Sequence, residues 1–127
     1  MGAEVRSFRD LIVWQKAMNL VERVYQLSNL FPSEERYALT SQIRRAAVSV
    51  PSNIAEGYGR HSTSDYIRFL QISLGSLNEL KTQLELAVRL GFSSAEQIED
   101  ALELCAEIEK MLVALIKKLR AKNSGNH

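Results

Sequence analysis

The stretch Gln42-Ile43-Arg44-Arg45-Ala46-Ala47-Val48-Ser49-Val50-Pro51-Ser52-Asn53-Ile54-Ala55-Glu56-Gly57 constrains this chain more than any other. At helical spacing Ile43, Ala47, Val50 and Ile54 form one apolar stripe. Arg45, Ser49, Ser52 and Glu56 lie about 200° round from them, with Asn53 beside the row and Arg60 extending it. The pattern predicts a core-facing helix with a charged and hydroxylated back. Pro51 sits in its middle, where it removes a backbone hydrogen bond at a cost of about 3 kcal/mol. A kinked single helix and two helices meeting at a corner both fit. Val50 and Ile54 keep one stripe across the proline, which favours the kink.

Helical periodicity recurs on either side. Helices are expected at about 10–30, 34–59, 63–90 and 94–122, within a single domain covering 1–127. In the first, Trp14, Met18, Val21 and Tyr25 make one row and Ala17, Leu20, Val24 and Leu27 an adjacent one. Ser33 is the expected N-cap of the second, and Gly57 and Gly59 its stop. Ser62-x-x-Asp65 and Ser94-x-x-Gln97 read as capping boxes for the third and fourth, with Gly91 ending the third. The fourth carries Ile98, Ala101 or Leu102, Cys105, Ile108, Leu112, Leu115 and Leu119 as its seam, and should fray from Asn123 to His127. Only two prolines and six glycines interrupt the chain. Short links between long helices make neighbours antiparallel, so the fold class is all-α, an up-down-up-down four-helix bundle.

Apolar residues make up 46% and charged residues 24%, with a formal net charge of +1. Bulk charge therefore predicts neither strong attraction to nucleic acid nor repulsion from it. Glu96, Glu99, Asp100, Glu103, Glu107 and Glu109 precede Lys117, Lys118, Arg120 and Lys122. This order suits a helix dipole, and a phosphate-contacting basic tail is the competing reading. The lone Cys105 excludes an intrachain disulfide and fits a reducing compartment. With no signal peptide and no apolar run long enough to span a membrane, a soluble cytoplasmic protein is expected.

Helix two carries apolar residues over an arc of about 200°, wider than a surface helix normally shows, and Ile72 and Leu86 broaden helix three. Such excess predicts a homo-oligomer, with Val48, Pro51, Ser52, Ala55 and Glu56 at the interface. Gly75, in the middle of helix three, suggests close approach of another helix.

Catalytic motifs are lacking. Gly57-Tyr58-Gly59-Arg60 has neither the lysine nor the strand of a phosphate-binding loop. His61 and His127 cannot build a metal site with Cys105, and no Glu-x-x-His pair suggests a di-iron centre. No enzyme activity, cofactor, metal or small-molecule substrate is expected. Binding chemistry is better supported: Arg44, Arg45, Arg60 and Arg68 gather near His61, Tyr58 and Tyr66, as phosphate contacts would. Glu56 and Asp65 offer the alternative of ion pairs within or between subunits, and thus a protein-interaction scaffold.

The segments 10–17, 39–57 and 75–80 resemble the small bacterial four-helix bundle proteins called 23S rRNA intervening sequence proteins, some encoded inside insertions in large-subunit ribosomal RNA genes. The resemblance runs from about Phe8 to Leu115. It departs at Ala38, where the family often has glycine, and at Lys81, where an acid is common. It implies a left-handed bundle assembled as a homopentamer. More distantly it implies likeness to the accessory protein of diversity-generating retroelements, a pentameric bundle whose basic surface contacts nucleic acid and a reverse transcriptase. The partners so implied are further copies of the chain, RNA or DNA, and a protein.

Overall fold

The computed structural model describes residues 4–124. Among these, four helices carry the fold: α1 (Ile12–Ser28), α2 (Leu39–Tyr58), α3 (Thr63–Arg89) and α4 (Ala95–Ser124). Two short 3-10 turns, Phe8–Asp10 and Ser33–Glu35, precede α1 and α2. Helix α1 packs on α2 and α4, and α3 packs on the same two, closing the ring of a four-helix bundle. No strand occurs among the described residues.

Capping chemistry sets the boundaries. Ser62 Oγ accepts the Asp65 amide at 3.1 Å to start α3. The Ser94–Gln97 box is complete: Ser94 Oγ accepts the Gln97 amide at 3.1 Å, and Gln97 Oε1 accepts the Ser94 amide at 2.8 Å. Gly91 takes φ +80°, the left-handed geometry glycine supplies after a helix end. At the first two helices the sequence reading needs correction. Ser7 and Asp10 form a reciprocal box around the 3-10 turn, and an extended Leu11 separates that turn from α1. Ser33 caps nothing and opens the second 3-10 turn, so α2 starts at Leu39 rather than near 34. Glu35 instead reaches forward, its Oε1 accepting the Leu39 amide at 3.2 Å.

Helix α2 is continuous through Pro51, a single helix rather than two. The buried Ser73 hydroxyl of α3 donates to the Val50 carbonyl at 2.9 Å, tying the helices together beside the proline. Gly57 does not stop α2 but lies inside it. A Cβ there would stand 2.8 Å from Phe69 Cβ and 3.1 Å from Tyr66 Cδ1, so only glycine admits α3 this closely. Helix α4 remains helical through Asn123 and Ser124, where fraying was expected. Residues 125–127, including His127, lie outside the described residues.

The core is filled by Ala17, Leu20 and Val24 of α1, Ile43, Ala47, Val50 and Ile54 of α2, Leu70, Leu77, Leu80 and Leu84 of α3, and Ala101, Cys105, Ile108 and Leu112 of α4. Each fully buried large aliphatic side chain contributes about 1.5–3 kcal/mol. Of the two rows on α1, the Ala17 row faces the core, whereas Met18 and Tyr25 in the other stay exposed. The broad arc of α2 is largely absorbed within the protomer. Packing against both α1 and α3 buries Ala46, Ala47 and Pro51 as well as the main stripe, leaving Val48 40% exposed. Val48 is thus the large apolar side chain of α2 that stays exposed. Ile72 and Leu86 of α3 do remain exposed. Gly75 has nothing within 4 Å of a would-be Cβ, so no helix of the same protomer approaches it.

Candidate nucleic-acid interface

The arginines singled out in the sequence fall into two groups. At about 1.5 Å of rise per residue, Arg45 in α2 and Arg60 just past its end stand roughly 22 Å apart along the axis. Each belongs to a different end of α2, and the two ends differ in chemistry.

At the C-terminal end the cations have carboxylates beside them. Arg60 Nη2 pairs with Glu56 Oε1 at 2.6 Å, one helical turn back. Its guanidinium also lies 4.6 Å from the centre of the Phe69 ring. Arg68 stands 5.2 Å from the same ring and 3.9 Å from Asp65 Oδ1. Tyr58 and Tyr66 meet edge to face, with centroids 6.1 Å apart. Burial, helped by the neighbouring Tyr58, pushes the Tyr66 phenol up to about 12. The tyrosines expected as stacking groups thus stack on each other.

The N-terminal end is open. Tyr25 of α1, Arg36 and Tyr37 of the connecting turn, and Thr40, Ser41, Arg44, Arg45 and Val48 of α2 line a groove of about 500 Å³. Arg44 is held rigidly: its Nε donates to Ser28 Oγ at 2.8 Å and its Nη2 to Asn29 Oδ1 at 2.9 Å. The same guanidinium stacks 4.6 Å from the centre of the Tyr25 ring. Arg45 touches only a neutral partner, donating through Nη2 to Ser41 Oγ at 3.2 Å. The Arg36 guanidinium sits 6.0 Å from the Tyr37 ring centre, and Tyr37 itself is 88% exposed. Among the described residues none of these three arginines pairs with a carboxylate. Glu35, their nearest acid in sequence, directs an oxygen to the Leu39 amide. Guanidiniums with no carboxylate bonded to them, two of the three beside aromatic rings, suit phosphate oxygens, which they bind in a bidentate fork, and the planar groups attached to them.

The compensating charge lies one groove away. Between α1 and α4, Glu22, Asp100, Glu103 and Glu107 line a second depression, where Arg23 pairs with Asp100 and Lys16 with Glu107, leaving acids in excess. A net charge of +1 therefore conceals a molecule whose α1–α2 and α1–α4 faces carry opposite sign.

The hydroxylated row behind α2 has a structural role. Asn53 Nδ2 donates to the Ser49 carbonyl at 2.8 Å and to its hydroxyl at 2.9 Å. Ser76 Oγ of α3 donates to Ser49 Oγ at 2.8 Å, so this row fastens α2 to α3. Of the expected interface residues, Pro51 is buried within the protomer, Ala55 is part-buried, and Val48, Ser52 and Glu56 are exposed. His61 is exposed in the turn between α2 and α3. Cys105 is buried; desolvation pushes its thiol up to about 12, Lys81 opposing and Glu109 adding to the rise. A thiol held protonated in this way is a poor nucleophile. Among the described residues no cluster of His, Cys, Asp and Glu could hold a metal, and no helix is long and apolar enough to cross a membrane.

Sequence reasoning missed Tyr25, Arg36 and Tyr37 as groove residues. A helix drawn from residue 34 places Arg36 and Tyr37 in a regular first turn. The 3-10 turn after Pro32 instead sets them at the mouth of the α1–α2 groove. The available signal was an arginine–tyrosine pair beside a proline turn.

Comparison with known proteins agrees with this architecture. No curated protein matches the chain. A crystal structure at 1.70 Å of a protein with unknown function, from the S23 ribosomal protein family of Bacteroides thetaiotaomicron, is 31% identical. It superposes with a TM-score of 0.77, covering 84% of this chain and 99% of that one. The family model for the 23S rRNA-intervening sequence protein matches residues 9–114. The pairing of this bundle with that match means that the chain belongs to the 23S rRNA-intervening sequence protein family.

Proposed function

We propose that the protein is a non-enzymatic, homo-oligomeric bundle of the cytoplasm that binds RNA or another nucleic acid through the basic groove between α1 and α2. The observation that carries this reading is the grouping of Arg36, Arg44 and Arg45 around two tyrosines with no carboxylate paired to any of them. Arg36 and Arg45 supply the phosphate contacts. Arg44 shapes the wall and offers the donors that Ser28 and Asn29 leave free. Arg60 and Arg68, each with a carboxylate beside it, contribute less.

Association of copies multiplies a modest groove into a strong array, since linked sites raise effective concentration. Exposed Ile72 and Leu86 on α3, together with the unobstructed backbone at Gly75, support self-association through α3 rather than α2. The scaffold reading in which Arg45 pairs with Glu56 of another copy is disfavoured, because Glu56 is engaged by Arg60 in its own chain.

Fluorescence anisotropy with labelled RNA, run beside light scattering, tests the proposal. Arg36→Ala/Arg45→Ala should weaken RNA binding at least tenfold while the particle mass stays that of wild type. Unchanged affinity removes the groove as the site. Loss of mass in the double variant points to a protein interface there instead.

A further inference from the structure

We infer that the α1–α2 groove binds single-stranded nucleic acid, with an unpaired base stacked on Tyr37 while Arg36 and Arg45 hold the flanking phosphates. This rests on the nucleic-acid reading above and adds the strandedness of the ligand and a residue that selects for it.

Tyr37 is the most exposed large hydrophobic side chain among the described residues, at 88%. An aromatic ring left this bare gives up the burial that normally accompanies such a side chain, and its own fold does not use it. Its surroundings identify what would cover it. Arg36 stands beside the ring at 6.0 Å, and Arg44 and Arg45 line the same groove with no ion-pair partner among the described residues. An apolar peptide would leave these cations unmatched, and an acidic peptide would leave the ring without a flat partner. A nucleotide satisfies both, its phosphate meeting guanidinium and its base meeting the phenol face.

Strandedness follows from geometry. In a duplex the base faces are already stacked and the grooves present only edges, so an exposed tyrosine gains nothing from them. Unpaired bases present whole faces, and stacking on an aromatic side chain tolerates any sequence. The groove also offers two differently prepared walls. Arg44 is fixed on Tyr25 by Ser28 and Asn29, whereas Tyr37 and Arg36 on the turn are exposed to an incoming strand. Phosphate attraction alone would favour the duplex, whose charge density is higher. A preference for the single strand is thus diagnostic of stacking.

The test uses the full chain, with labelled oligoadenylate, alone or paired with oligouridylate, as the probe in anisotropy titrations at fixed salt. Wild type is expected to bind the single strand at least fivefold more tightly than the duplex. Tyr37→Ala should lose about tenfold on the single strand, within the range for one stacked base, and little on the duplex. Tyr37→Phe should retain wild-type binding, because the ring rather than the hydroxyl carries the contact. Circular dichroism melting should show both variants folded as wild type, the side chain being exposed. Equal affinity for both probes with no effect of Tyr37→Ala overturns the stacking inference, while continued sensitivity to Arg36→Ala/Arg45→Ala leaves the nucleic-acid reading standing. Binding to neither probe overturns both.

Discussion

The two ends of α2 carry the same residue types and put them to opposite uses. Past its C-terminus, arginines lie on an aromatic ring and pair with Glu56 and Asp65, while Gly57 draws α3 into contact. At its N-terminus, arginines lie beside tyrosines with only neutral partners and a groove open to solvent. The contrast teaches that an arginine cluster in a sequence says little until its carboxylates are located. Arg60 and Arg68 have carboxylates and a shared aromatic ring beside them. Arg36 and Arg45 have no carboxylate partner among the described residues.

The largest effect should come from the closed end. Gly57→Ala puts a Cβ against Phe69 Cβ, a side-chain atom close to the backbone that cannot swing aside, and should cost about 1–3 kcal/mol in denaturant melts. A neutral result would mean that the α2–α3 approach is looser than 2.8 Å implies. Next comes the contrast within the open end. Arg44→Ala removes two hydrogen bonds and a stacked cation and should cost about 1–2 kcal/mol of stability. Arg45→Ala should stay within roughly 0.5 kcal/mol of wild type, as an exposed side chain does. Equal losses at the two positions would erase the distinction between the fixed wall and the free contact. An effect smaller than that at Arg44 has the opposite sign. Gly75→Ala meets no atom within 4 Å and should stabilise the protomer by about 0.5–1 kcal/mol. A protomer gain accompanied by loss of particle mass would place another copy against this face of α3.

Much of the fold was legible because it is periodic. The stripe Ile43, Ala47, Val50 and Ile54 is buried as read, and Ser62 and Ser94 start their helices and Gly91 follows the end of its own by the chemistry their types suggest. What escaped was local or long-range. Ser33 looked like a cap, but the extended Pro32 and the reach of Glu35 to Leu39 moved the helix start. Gly57 looked like a stop because sequence gives no sign that Phe69 stands behind it. That two neighbours within the protomer share the breadth of the α2 arc is something a single helix pattern cannot show. The groove was only half visible. Arg44 and Arg45 announced themselves, whereas Tyr25, Arg36 and Tyr37 join them only once α1 is folded back against α2.

The most direct test is the salt dependence of RNA affinity for wild type and two double variants, one at each end of α2. Each phosphate contact contributes about 0.7 to the slope of log affinity against log salt for a single strand. Arg36→Ala/Arg45→Ala should flatten that slope by about 1.4, and Arg60→Ala/Arg68→Ala should leave it nearly unchanged. A slope that flattens equally in both variants, or only in the second, would contradict the assignment of the open end as the nucleic-acid site.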